Sequence, residues 1–173
     1  CLAGPVFSAA VILNKNINPK NIIDSKKIPF KERVFLSKYI KKNSIYSIGH
    51  ATVEEIYKIN ILNASLLSMY RAINKLSVKP KLVFIDGLYI PPQLKIKSKT
   101  FIKGEEKKVC IAAASIIAKV SRDLYMIKLA KKHPMYFWNK NFGYGTSKHL
   151  LGIKKYGITK HHRKKFKPIH NML

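Results

Sequence analysis

Acidic side chains are what this chain has least of. Eight Asp and Glu stand against 34 Lys and Arg, a formal net charge of +26. Only three of the eight are aspartates, Asp24, Asp86 and Asp123, so each carboxylate on an otherwise basic chain needs a reason. Cysteine is nearly as scarce: Cys1 and Cys110 match no metal-ligand spacing and read as reduced thiols of a cytosolic protein. No apolar run reaches spanning length, which argues against a transmembrane helix. No internal repeat and no interdomain linker interrupts the chain, so residues 1–173 read as one domain. The chain opens on Cys1 with no basic start, apolar middle and small-residue cleavage site. It is therefore expected to be a fragment lacking its N-terminus.

What is present is a globular composition, 47% hydrophobic over 173 residues, long enough to bury a core. The positive field attracts polyanions, and nucleic acid is the commonest of these. Charge supplies affinity without chemical specificity and does not distinguish a binder from an enzyme that cuts. A basic ribosome-associated protein is disfavoured by the buried-strand pattern and the lack of a disordered tail.

Strands and helices alternate. Val6 to Leu13 is a near-continuous apolar run, expected as a strand buried on both faces. Asp24-Ser25-Lys26-Lys27 reads as a turn or a phosphate-contacting loop. Pro29 is expected at the first position of a helix running to about Lys42. Ile45 to Gly49 is a short strand, and Thr52-Val53-Glu54-Glu55 fits a capping box. Asn60 is expected to cap a helix whose apolar face is Leu62, Leu66, Met69, Ile73 and Leu76. Leu82 to Ile85 is a strand ending in Asp86-Gly87, and Thr100 to Lys103 another. A helix from Cys110 stops near His133-Pro134, and Thr146 caps a last helix ending at Gly157. This alternation predicts an α/β layer structure with a mixed central sheet flanked by helices. The basic run at His161 to Pro168 lies in a C-terminal helical part, 134–173.

The Cys110–Asp123 stretch is central. Its alanines allow close packing, and Ser115, Lys119 and Asp123 fall four apart, one polar stripe on a helix with Arg122 beside it. Asp86 follows the most apolar strand at its C-terminal end, where α/β folds place their sites. If the two carboxylates converge, they repel unless a cation lies between them. Mg²⁺ prefers hard oxygen donors and is held by one or two carboxylates plus phosphate and water, a set suited to phosphodiester cleavage. The competing readings are a strand-end turn for Asp86 and a partner for Arg122 or a nearby lysine for Asp123.

These residues, taken in order, resemble the ribonuclease HII family over almost the whole chain. The resemblance rests on Leu2-Ala3-Gly4-Pro5-Val6 with Ala9 to Leu13, Asp24-Ser25-Lys26-Lys27, Asn60-Ile61-Leu62, Ile85-Asp86-Gly87, Lys103-Gly104, Ala112 to Asp123, Gly143-Tyr144-Gly145-Thr146 and His162-Arg163. It implies a ribonuclease H-like fold with a basic C-terminal part and an endonuclease that uses four carboxylates with Mg²⁺ or Mn²⁺. The substrates it implies are RNA–DNA hybrids and duplex DNA containing ribonucleotides. By the resemblance, Asp86 and Asp123 are the third and fourth carboxylates and Tyr144 stacks on the nucleotide at the RNA–DNA junction. Ser25, Lys26, Lys119 and Arg163 are its candidate phosphate contacts.

By the resemblance, the family's first Asp-Glu pair lies in a Gly-rich motif immediately before the point where this chain begins and is absent, as is the Gly-Arg-Gly segment. These 173 residues alone are therefore expected to be inactive and the complete protein active. Glu105, Leu88 and Lys165 depart from the family pattern without removing a metal ligand. A cytoplasmic monomer with no membrane contact is expected. The alternative is a nucleic-acid-binding protein of the same fold that has lost catalysis.

Overall fold

The computed structural model describes residues 1–14, 17, 18, 22 and 28–172. Ser25 and Lys26, with Asp24 and Lys27, lie outside the described residues. The chain divides into two compact units. A sheet unit comprises Phe7–His50 and Ser65–Val120, and a C-terminal unit comprises Cys1–Val6, Ala51–Ala64 and Ser121–Leu173.

In the sheet unit, β1 (Val6–Leu13) pairs with β2 (Ser44–Ala51), and β3 (Val83–Asp86) pairs in parallel with β4 (Ser98–Phe101), which the short helix α3 (Gly104–Lys107) follows. The apolar run of β1 forms the strand with the expected bounds, but its residues are mostly half-buried, and only Ser8 is buried. Helix α1 (Phe30–Lys42) begins one residue later than expected. Pro29 is its N-cap, with φ −57° and ψ 157°, and the Pro29 carbonyl accepts the first helical bond from Arg33 N–H at 3.0 Å. Proline's fixed φ suits that position, and its missing N–H costs nothing there. Ile40 of α1 packs with Ile116 and Ile117 of α4 (Val109–Ala130) and with Ala112 and Ala113, whose small side chains admit it closely.

Helix α2 (Val53–Asn74) is two helices merged across Asn60, which lies at φ 64°. The capping box forms as expected: Glu55 N–H donates to Thr52 Oγ1 at 3.1 Å, and Thr52 N–H donates to Glu55 Oε2 at 2.8 Å. Asn60 Oδ1 accepts from Asn63 N–H at 3.1 Å, capping the second helix, and asparagine is among the few residues that tolerate a left-handed φ. The expected apolar face is shifted. Leu66, Ile73 and Leu76 are buried, but Leu62 is exposed, and Ala64, Ser68 and Ala72 are the residues with no exposure. A Cβ at Gly49 would collide with the backbone of Ser68 and Ala72. The helix therefore approaches β2 through small residues, and Ser68 Oγ and the Ala72 carbonyl meet Ser8 and Ser47 Oγ there.

The C-terminal unit takes α4 from Ser121 onward, then a 3₁₀ turn at Pro134–Tyr136, and then α5 (Trp138–Asn141) and α6 (Ser147–Tyr156). Thr146 Oγ1 caps α6, and Gly157 at φ 75° ends it. The basic run does not hang free. Ala3 bridges His162, Arg163 N–H donates to the Leu2 carbonyl at 2.8 Å, and Gly4 N–H donates to the His161 carbonyl at 2.9 Å. The unit's core gathers Leu2, Met126, Tyr136, Trp138, Ile153 and Ile169, all buried.

Candidate active site

Asp86 closes β3 in solvent. Its register partner on β4 is Phe101, and two residues later Lys103 turns the chain through a left-handed φ of 54°. That turn brings the Gly104 N–H to Asp86 Oδ1 at 2.8 Å. Space at Gly104 is tight: a Cβ there would lie 2.6 Å from Ile111 Cδ1, which would have to shift, and 3.2 Å from Asp86 Oδ1. The second carboxylate oxygen of Asp86 accepts no hydrogen bond from the described residues. Lys119 is half-buried in the same unit, and Ser115 Oγ donates to Glu105 Oε2 at 3.1 Å.

Asp123, in the C-terminal unit, is fully buried. Arg122 donates to its Oδ1 twice, from Nε at 2.9 Å and from Nη2 at 2.6 Å. The third nitrogen, Nη1, donates to the Tyr144 hydroxyl at 2.9 Å. The guanidinium also lies 5.0 Å from the Tyr144 ring centroid, within cation–π range. Burial by itself would lower the Arg122 pKa; the Asp123 carboxylate and the Tyr144 hydroxyl outweigh it and hold the pKa raised. One arginine thus joins the buried acid to the tyrosine, whose side chain is 47% exposed.

Adjacent residues on a helix point apart, which is why the sequence placed Arg122 only beside the polar stripe. Its long side chain folds back instead. The reading of Asp123 as a partner for Arg122 is therefore realised, and it leaves the acid a hard oxygen donor.

Arg163 is buried. Its Nε donates to the Gly4 carbonyl at 2.9 Å and its Nη2 to the Pro5 carbonyl at 3.3 Å. Burial, with repulsion from Arg122 second, pulls its pKa down to about 10, still charged at neutral pH. Its hydrogen bonds hold the N-terminal segment, a task its place in a basic run did not suggest.

The loop carrying Tyr144 is tied by its main chain. Tyr144 N–H donates to the Asn141 carbonyl at 2.8 Å, and Asn141 Oδ1 accepts from Gly143 N–H at 2.9 Å. The oxygen donors Asp86 and Asp123 fit Mg²⁺ or Mn²⁺ in kind. Among the described residues no cluster of three or more His, Cys, Asp or Glu forms a metal centre on its own.

Two solved structures share this architecture. The PCNA:RNase HII complex from Archaeoglobus fulgidus matches with a TM-score of 0.77 at 20% identity, over 96% of this chain and 90% of that one. Ribonuclease H2 from Pyrococcus horikoshii OT3 matches with a TM-score of 0.75 at 21% identity, over 98% and 92%. The fold is thus an α/β fold of the ribonuclease H-like kind. The profile of the family described as Ribonuclease HII matches residues 1–169. Curated proteins of that name are 55% identical in Pelagibacter ubique, over 99% of this chain and 92% of the relative, and 43% identical in Neisseria meningitidis serogroup B, over 99% and 89%. The chain belongs to the ribonuclease HII family. These matches run across the whole chain, so the inactivity expected of it finds no support in them.

Proposed function

We propose that the protein is an endonuclease that cleaves the RNA strand of RNA–DNA hybrids and nicks duplex DNA on the 5′ side of an embedded ribonucleotide, leaving 3′-hydroxyl and 5′-phosphate ends. Residues 1–173 act in this reading as one domain, with 134–173 as its substrate-binding extension. Family membership supports the reaction class. The observation that carries the assignment of residues is the Arg122 guanidinium bonded to both the Asp123 carboxylate and the Tyr144 hydroxyl.

Asp86 and Asp123 would hold Mg²⁺ or Mn²⁺. Such ions, when bound, supply charge stabilisation to the attacking and leaving oxygens of an in-line displacement. The chain's own residues do the rest. The Gly104 N–H keeps Asp86 Oδ1 oriented, and Arg122 keeps Asp123 Oδ1 aimed. Tyr144 offers an exposed ring on which a nucleotide can stack without regard to base identity, which suits an enzyme that must read the 2′-hydroxyl. Lys119, with Ser25 and Lys26, contributes phosphate contacts. Arg163 enters through its charge and by holding Gly4 and Pro5.

No helix among the described residues is long and apolar enough to cross a membrane. A cytoplasmic monomer belongs to the same proposal. The test is a duplex carrying one ribonucleotide, incubated with purified protein and Mg²⁺ or Mn²⁺. A single nick 5′ to the ribonucleotide is expected. No nick, or equal cutting of an all-DNA duplex, rejects the reading, and tight binding without a nick establishes the catalytically inactive binder instead.

A further inference from the structure

Behind the Tyr144 main chain stands a line of buried rings, all within the C-terminal unit. His149 is fully buried, and its Nδ1 lies 2.8 Å from the Tyr144 carbonyl. A carbonyl only accepts, so Nδ1 carries the proton and Nε2 of the neutral ring keeps its lone pair. Trp138 Nε1–H donates to that Nε2 at 3.0 Å, which agrees. His162, also buried, accepts at Nδ1 from the Thr159 N–H at 2.9 Å. Its proton is therefore on Nε2, which faces His149 Nε2 at 3.2 Å. The two imidazoles hold opposite tautomers, and each is set by a main-chain group that has no choice of role.

We propose that His149 is a positioning residue for Tyr144, holding the carbonyl of the stacking tyrosine, while Trp138 and His162 lock His149 in the one neutral tautomer that can donate to it. The inference rests on the stacking role proposed above for Tyr144. Packing alone does not call for this arrangement. An apolar side chain would fill the same space without the cost of burying imidazole nitrogens, yet every ring nitrogen of the pair has a partner. Without His149 the Tyr144 carbonyl would keep, among the described residues, the Thr146 N–H at 2.9 Å. The half-exposed ring would then rest on Arg122 and on the Asn141 contacts of its loop.

The tautomers are read directly by long-range proton–nitrogen NMR of the histidine rings at neutral pH. His149 is expected as the Nδ1–H form and His162 as the Nε2–H form; the reverse assignment overturns the inference. Kinetics on the ribonucleotide-containing duplex supply the second arm. His149→Leu is expected to raise KM about tenfold, the scale of one lost hydrogen bond, with kcat nearly unchanged. His149→Asn, whose amide nitrogen takes the place of Nδ1, is expected to restore KM. In a Tyr144→Ala background the leucine change is expected to add nothing.

A normal KM in His149→Leu beside a raised KM in Tyr144→Ala overturns this inference alone. A normal KM in Tyr144→Ala overturns the stacking reading and this inference with it. If the leucine variant fails to fold, the tautomer assignment and the asparagine variant decide.

Discussion

Asp86 stands in solvent at the end of a strand with a backbone N–H on its Oδ1, whereas Asp123 is buried with a guanidinium on its Oδ1. Both carboxylates are aimed through one oxygen, by different means. The Asp86 donor is uncharged and belongs to a turn where a Cβ would crowd Ile111 and the carboxylate itself. The Asp123 donor is charged, long and shared with Tyr144. A main-chain donor fixes direction at little cost in charge, while an arginine also neutralises a buried acid and can carry a second task. The same substitution therefore has different consequences at the two places.

The largest effect is expected from removing each charge. Asp86→Asn and Asp123→Asn are both expected to lower cleavage of the single-ribonucleotide duplex by roughly 10²–10³-fold, the range for losing a group that stabilises developing charge. Stability separates them. Asparagine at 86 can still accept from Gly104, so denaturant unfolding is expected to change by under ~0.5 kcal/mol. Asparagine at 123 leaves Arg122 mostly buried without its counter-charge, at a cost of roughly 3 kcal/mol. Equal destabilisation by the two variants would break the comparison.

Acid is expected to act on the C-terminal unit next most strongly. Burial, and secondarily the neighbouring His149, lowers the His162 pKa from its ordinary 6.5 to about 4. Burial also lowers the His149 pKa. The unfolded chain thus binds protons that the folded chain refuses. The resulting stability is fully present above about pH 6.5 and is lost as pH falls toward about 4, worth roughly 3 kcal/mol for His162 at about 1.4 kcal/mol per pH unit. Urea unfolding at pH 7 and pH 5 is expected to show roughly 2 kcal/mol of it, with His162→Gln flattening the dependence. A slope that survives the glutamine variant would assign the effect to other groups.

Gly104→Ala addresses the Asp86 side. Its Cβ must displace Ile111 Cδ1 or push the carboxylate, with an overpacking cost of about 1–3 kcal/mol. Misplacement of a reacting group is expected to lower kcat about tenfold with KM little changed. A variant with normal kcat would mean that the Asp86 orientation does not depend on this turn.

Much of this architecture was legible in local pattern. The apolar run of β1, the Thr52–Glu55 capping box, the Asn60 cap and the Thr146-to-Gly157 limits of α6 all depend on residues within one turn or one strand. The apolar face of α2 was misread at Leu62, because periodicity rewards large side chains while the helix packs on β2 through Ser68 and Ala72. The candidate acids and the candidate tyrosine were singled out through family order, whereas the groups that hold them were not. Arg122 bonding its own neighbour contradicts the usual spacing of helical pairs. The Gly104 contact is a main-chain contact, invisible to side-chain reasoning. Trp138, His149 and His162 come together only when the basic run docks against Leu2–Pro5, a long-range event with no local signature.

The smallest effect sharpens the comparison most. Arg122→Lys keeps one positive charge beside Asp123 but gives up the fork that lets one side chain serve Asp123 and Tyr144 at once. The single ammonium group is expected to stay with the carboxylate, because an unneutralised buried acid costs more than an unbonded hydroxyl that water can reach. Stability is then expected to fall by only about 1 kcal/mol, the value of one ordinary hydrogen bond. The freed Tyr144 ring is expected to raise KM for the ribonucleotide-containing duplex about fivefold, the loss of roughly 1 kcal/mol of binding, with kcat nearly constant. The opposite split, with kcat falling and KM unchanged, would mean that Arg122 acts on Asp123 alone. The tyrosine would then owe its placement to the main-chain contacts of its loop, and the two carboxylates would differ only in burial.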